Sequence, residues 1–225
     1  MNRKLGLMLV TGCALLSQAA YSETGNPERG DRPSREAMLL GFIHQANQNE
    51  VALAKLAQQN SNSAQVKDFA NRMITDHTQA DDQVLAFADS HNISVPSIAQ
   101  INAVRADRTE LANRNKEIGS ETGEYAFYNV GTGGSGFGSD FQATMDKLRG
   151  LKGPDFDREF ARAMIKDHQS LIDRLNNALT PDAAGPYVTQ ARITDPDAIK
   201  LVEQLLPTVK QHLSLAKQLN DGLNG

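Results

Sequence analysis

F-A-N-R-M-I-T-D-H at Phe69 to His77 and F-A-R-A-M-I-K-D-H at Phe160 to His168 are two copies of one nine-residue pattern. At about 100° per residue, Phe69 and Met73 share one stripe of a helix, and Phe160 and Met164 share the equivalent stripe. Asp76 and His77 flank the first stripe, as Asp167 and His168 flank the second. The pattern therefore reads as two similar helices, each offering Met, Asp and His to an interior.

Apolar periodicity extends both copies. The stripe of the first copy runs on through Val66, Ala80, Val84 and Phe87, which predicts a helix over 64–90 capped by Asn62 or Ser63. That of the second includes Phe156, Leu171 and Leu175 and predicts a helix over 155–179 opened by Gly153-Pro154. A helix over 36–60 precedes them, with Phe42, Ala46, Leu53 and Ala57 in line. Another over 196–221 follows, capped by Thr194 or Asp195, with Val202, Leu206, Val209, Leu213 and Ala216 buried and Pro207 bending it. The expected fold is all-α, an up-and-down four-helix bundle. The region 91–140 between the second and third helices, helical in character only over 99–118, reads as a Gly-rich insertion of about 99–140. Gly131, Gly133 and Gly136 spell G-x-G-x-x-G there, but a dinucleotide site needs strands alternating with helices, so a loop is expected.

The remaining segments place the domain. Asn2, Arg3 and Lys4, the apolar run Leu5 to Leu16 and small residues up to Ser22 form a secretory signal over 1–22. The run is too short to span a bilayer, so no transmembrane segment is expected after cleavage. Periplasmic or secreted location follows, with lipid anchoring through Cys13 in V-T-G-C as the alternative. Residues 23–34 read as a linker and 35–222 as the bundle domain. Cys13 is the one cysteine, which excludes disulfides and thiolate metal sites. The net charge of −4 has no basic cluster behind it, so no nucleic-acid partner is expected.

Depth along the helices brings four polar residues together. Glu50, His77, His168 and His212 each lie near the middle of their helix, within roughly 6 Å of one level at 1.5 Å per residue. One carboxylate and three imidazoles suit a single Zn, Fe, Mn or Cu ion. Asp76 and Asp167 are candidates to orient the imidazoles, and Met73 and Met164 add soft sulfur that favours copper. The competing reading is a structural layer that fixes helix register by hydrogen bonds, in a non-catalytic envelope stress or interaction protein. His44 reads as solvated, and His91 as a helix-end residue complementing the dipole. No G-x-S-x-G or cysteine nucleophile is present, so no catalytic residue is assigned.

The segments N-E-V-A-L-A-K-L-A (49–57), V-K-D-F-A-N-R-M-I-T-D-H (66–77), F-D-R-E-F-A-R-A-M-I-K-D-H (156–168) and L-P-T-V-K-Q-H-L-S-L-A-K (206–217) resemble a family of exported bacterial proteins with a ferritin-like four-helix bundle, known as a domain of unknown function. The resemblance covers 36–91 and 140–221. It implies the fold, an envelope location and a metal layer, and no established reaction. The chain departs from the family by its Gly-rich insertion. It departs from di-iron ferritin-like proteins by having no E-x-x-H, so ferroxidase activity is not carried across.

Overall fold

Capping residues set where the helices begin. The computed structural model describes residues 33–101, 103, 137–180 and 193–224. Ser34 Oγ accepts from the Ala37 amide at 3.0 Å and opens α1 (Arg35–Asn60). Ser63 Oγ accepts from Val66 N and opens α2 (Ala64–Ser90) after a turn of only three residues. Asp195 Oδ1 accepts from Ala198 N at 2.8 Å and opens α5 (Pro196–Asn224). Each cap satisfies an amide that has no partner inside its own helix. Gly153 starts α4 (Gly153–Leu179) with a φ of +54°, a backbone state that favours glycine, and Pro154 follows in the first turn.

These four helices match the predicted ones to within three residues at either end. α5 continues through Pro207 without a break in its helical assignment. A fifth helix, α3 (Phe137–Arg149), was not expected as an element of its own. There is no strand among the described residues, and helical backbone resumes at 98–101 after α2. The signal, Cys13, most of the linker and the glycines of the G-x-G-x-x-G match lie outside the described residues.

The helices pack as two hairpins, α1 with α2 and α4 with α5, and the hairpins meet through α1 against α4 and α2 against α5. Chain direction follows from two apolar clusters. One joins Leu40, Ile43, Val84, Leu171, Leu175, Val202, Leu205 and Val209. The other joins Leu53, Val66, Phe69, Met73, Phe156, Phe160, Met164 and Ala216. α1 and α5 run from the first cluster to the second, whereas α2 and α4 run from the second to the first. All neighbouring helices are thus antiparallel, and α2 and α4, which run the same way, sit diagonally.

This order requires the chain to travel the length of the bundle between α2 and α4, a single crossover of the ferritin-like kind. The crossover leaves α2 at the first cluster, against which Ile93 and Val95 pack. It passes so close to α1 that a Cβ on Gly41 would stand 2.7 Å from the Pro96 carbonyl oxygen. It returns through α3, whose Met145 and Leu148 join the second cluster. Asn60 at the end of α1 donates to the Leu148 and Leu151 carbonyls and holds that corner.

Phe160 is fully buried at the centre of the second cluster, with Phe156 stacked on it at 5.8 Å and Phe69 edge-on at 6.1 Å. Phe160→Ala removes both ring contacts and leaves a cavity, so it is expected to cost about 3–5 kcal/mol in denaturant unfolding. Leu85→Ala, at an exposed position of α2, should stay within about 0.5 kcal/mol. Equal losses for the two variants would refute this placement of the core.

Candidate metal centre

Between the two apolar clusters lies one polar layer. Every long helix crosses it: α1 with Asn47 and Glu50, α2 with His77, α4 with His168 and α5 with His212. The three histidines are 1–2% exposed and Glu50 is 5% exposed. The imidazoles form a near-regular triangle, with ring centroids 5.1–5.4 Å apart. One ring nitrogen from each comes within 4.8 Å of the others, a cluster able to hold a metal ion.

The outer edge of each ring decides what the inner edge can do. His77 Nδ1 lies 2.9 Å from Asn47 Oδ1. His168 Nδ1 lies 2.8 Å from the Met164 carbonyl oxygen, one turn back on its own helix. His212 Nε2 lies 2.8 Å from Asp76 Oδ2. All three partners are oxygens that can only accept, so in each case the ring nitrogen donates its N–H. In a neutral imidazole the second nitrogen then carries a bare lone pair. His77 Nε2 and His168 Nε2 face each other at 3.4 Å, and His212 Nδ1 is buried with no partner.

Burial keeps these rings neutral. Desolvation is the largest cause holding His77 well below the usual histidine range, with the facing rings of His168 and His212 adding to it. Desolvation brings His168 down to about 4, against a smaller upward pull from its bond to Met164. His212 is also lowered by burial, although Asp76 favours its charged form. The short His212–Asp76 contact is therefore a hydrogen bond to a neutral ring more than an ion pair.

Glu50 joins the layer from the other side. Its Oε1 is 3.7 Å from His168 Nδ1, too long for a hydrogen bond, and its Oε2 is buried without a partner. Desolvation first, and then the nearby Asp167, push its carboxyl well above the usual range. Asp167 is itself raised to about 6 by burial, with Lys166 opposing and Asp140 assisting. With Glu50 favouring its neutral acid and His168 its neutral ring, the pair is not a salt bridge. The Glu50 carboxyl neighbours the Nδ1 edge of His168 and stands outside the three-nitrogen group.

The sequence placed the three histidines and Glu50 on one level, and the structure brings all four to this layer. Asp76 does orient an imidazole, but that of His212 across the helix interface and not the adjacent His77. Asp167 bears on Glu50. Met73 and Met164 are fully buried in the second apolar cluster, and what His168 uses of Met164 is its backbone carbonyl. Asn47 was missed, although it sits three residues before Glu50 on the same helical face. His44 is not merely solvated: its Nδ1 lies 2.7 Å from Asp81 Oδ1, while Gln48 donates to Asp81 Oδ2 at 2.6 Å. The buried Asp81 carboxylate draws both side chains of α1 toward α2. His91 caps α2 as expected, stacks on Phe87 and is raised chiefly by its bond to the Phe87 carbonyl.

Comparison with known proteins agrees with the helical reading. No curated protein matches the chain in sequence. A crystal structure of a presumed secreted protein, DUF305, from Streptomyces coelicolor is similar in fold, with a TM-score of 0.56 at 12% identity, over 85% of this chain and 95% of that one. At that identity the likeness shows the fold alone. The family model for DUF4142, a domain of unknown function, matches residues 23–121 and 135–219. That match spans both hairpins and the whole polar layer, and the chain belongs to the DUF4142 family.

Proposed function

We propose that the protein is an exported envelope protein that holds one transition-metal ion on His77, His168 and His212. The observation that carries the reading is the convergence of three lone pairs, each aimed by a hydrogen bond on the far side of its ring. Metal-binding imidazoles are ordinarily oriented in this way. Two nitrogens on a tetrahedral ion at 2.0–2.1 Å stand about 3.3–3.4 Å apart, and the Nε2 atoms of His77 and His168 are 3.4 Å apart. A purely structural layer would need a proton shared along that line and would still leave His212 Nδ1 unpaired.

Neutral imidazoles without a carboxylate among them suit zinc or copper better than iron or manganese. Glu50 is the nearest buried carboxyl. Beside a cation on the three rings its ionised form would be favoured, and it would supply balancing charge there. Asp76 holds the His212 tautomer that presents Nδ1 inward. Export to the periplasm rests on the segment 1–22, with Cys13 lipidation as the alternative route to the envelope. No helix among the described residues is long and apolar enough to cross a membrane. The protein is read as a binder of metal and not as an enzyme.

The mature chain should take up about one zinc or copper ion per molecule in metal analysis, and the His77→Ala/His168→Ala variant should take up none. Equal, substoichiometric metal in both ends the proposal. Asp76→Asn should weaken zinc about 10- to 100-fold in a competition titration while leaving the fold intact.

The ring of His168, at about 4, is held below the unfolded-state value near 6.5. Its contribution to stability is therefore complete above about pH 6.5 and is lost as the pH falls toward 4, about 3 kcal/mol in all. The two raised carboxyls, Glu50 and Asp167, act with the opposite sign, since their contribution is present at low pH and lost as the pH rises. Denaturant unfolding of the metal-free Glu50→Gln/Asp167→Asn chain isolates the histidines. It should show stability falling between pH 6.5 and 4.5, and a flat profile over that range would contradict the burial of neutral imidazoles.

A further inference from the structure

The three histidines of the polar layer are 1–2% exposed, so an ion cannot reach their lone pairs from solvent without a route between the packed helices. A cavity of about 440 Å³ between α2 and α5 ends against that layer, with Asp76, His77 and His212 in its wall. The deeper wall is otherwise aliphatic, with Leu171, Leu205 and Val209 among its residues, and the exposed amides of Gln79, Gln83, Gln204 and Gln211 line it toward solvent. At about 30 Å³ per water, it has room for an ion together with a hydration shell.

Asp76 is the one charged side chain among the residues lining this cavity, and 31% of it is exposed. Neutral amides solvate a passing cation without holding it, whereas a lone carboxylate between low-dielectric walls draws it inward. The same carboxylate ties α2 to α5, since Asp76 Oδ2 accepts from His212 Nε2 at 2.8 Å. His212 borders the cavity, yet its Nδ1 is shut off from solvent and has no partner. The carboxylate at the inner end of the cavity is thus the group that fixes which way this ring faces.

We propose that this cavity is the port through which the metal ion enters and leaves, with Asp76 as the residue that takes the ion at the inner end and passes it to His212. The inference rests on the three-histidine reading and adds a route to it. An ion on Asp76 competes for the oxygen that holds His212 Nε2. A ring released from that bond can turn about its Cβ–Cγ bond and meet the ion with Nδ1. Once the ion is seated on all three rings, Asp76 accepts from Nε2 again and holds the imidazole in place. A port of this kind governs rates and not affinity, because an obstruction in it raises the barrier equally in both directions.

Stopped-flow zinc uptake and release by the chain from residue 23 onward, read with a chromogenic chelator, tests this. Thr208 lies in the cavity wall, and Thr208→Cys gives that chain its one thiol, since Cys13 precedes residue 23. Capping the thiol after folding with a bulky disulfide reagent should slow uptake and release alike by at least tenfold, leave the dissociation constant within about twofold, and reverse on reduction. Gln79→Trp should slow both in the same way. Gln169→Trp, beside His168 on α4 but outside the cavity wall, should change neither. Zinc uptake equally fast in the capped and uncapped chains, or equal slowing by Gln169→Trp, overturns the port and leaves the metal reading standing. An unmodified chain that holds no zinc or copper at equilibrium removes the metal reading and the port with it.

Discussion

Three imidazoles buried in the middle of an apolar bundle are the constraint around which the rest is arranged. A neutral imidazole still carries one donor and one acceptor, and neither can be left in hydrocarbon without cost. The chain meets the donor requirement three different ways: an amide oxygen from Asn47, a backbone carbonyl from Met164 and a carboxylate from Asp76. Those bonds tie α1 to α2 and α2 to α5, and one stays within α4. The acceptors turn inward together, and the apolar core divides into a cluster on each side of them.

Much of this was legible in the sequence because it depends on helical period alone. The duplicated F-A-x-x-M-I-x-D-H pattern located α2 and α4, and of the paired cap candidates Asn62 or Ser63 and Thr194 or Asp195 the second of each pair does the capping. Counting residues to mid-helix was enough to put Glu50 and the three histidines on one level, since rise per residue is constant. What period cannot supply is the rotation of a side chain about its bonds and the identity of its neighbour on another helix. Period makes Asp76 a candidate to orient an imidazole without saying which one, and its carboxylate reaches across to His212 on α5. Asn47 looked like one more polar residue of α1, and His44 gave no hint of Asp81, 37 positions away. The helix α3 was hidden because it lies next to glycine-rich sequence and is only 13 residues long.

The layer also separates this protein from di-iron bundles of similar shape. Those present paired carboxylates, which suit hard, oxygen-preferring ions and bridging chemistry. Here three nitrogens converge, the buried carboxyl of Glu50 beside them favours its neutral acid, and the second acid, Asp167, is raised mainly by its own burial. A bundle of similar shape thus carries a different set of side chains at one level. The cavity between α2 and α5 gives that level an approach from outside, at the interface where the two hairpins meet.

The crossover between α2 and α4 has a consequence for how the molecule assembles. Each hairpin is local in sequence and can form early, but neither contains the whole layer. The first hairpin carries His77 with its Asn47 already in place; the second carries His168 with its own carbonyl, and a His212 that gains its orienting carboxylate only from the other hairpin. Docking is the event that completes the histidine cluster, and an ion seated there would act as a clasp between the two halves. Its grip would scale with the free ion concentration around the protein, so the supply of metal in the compartment would set how firmly the halves stay closed.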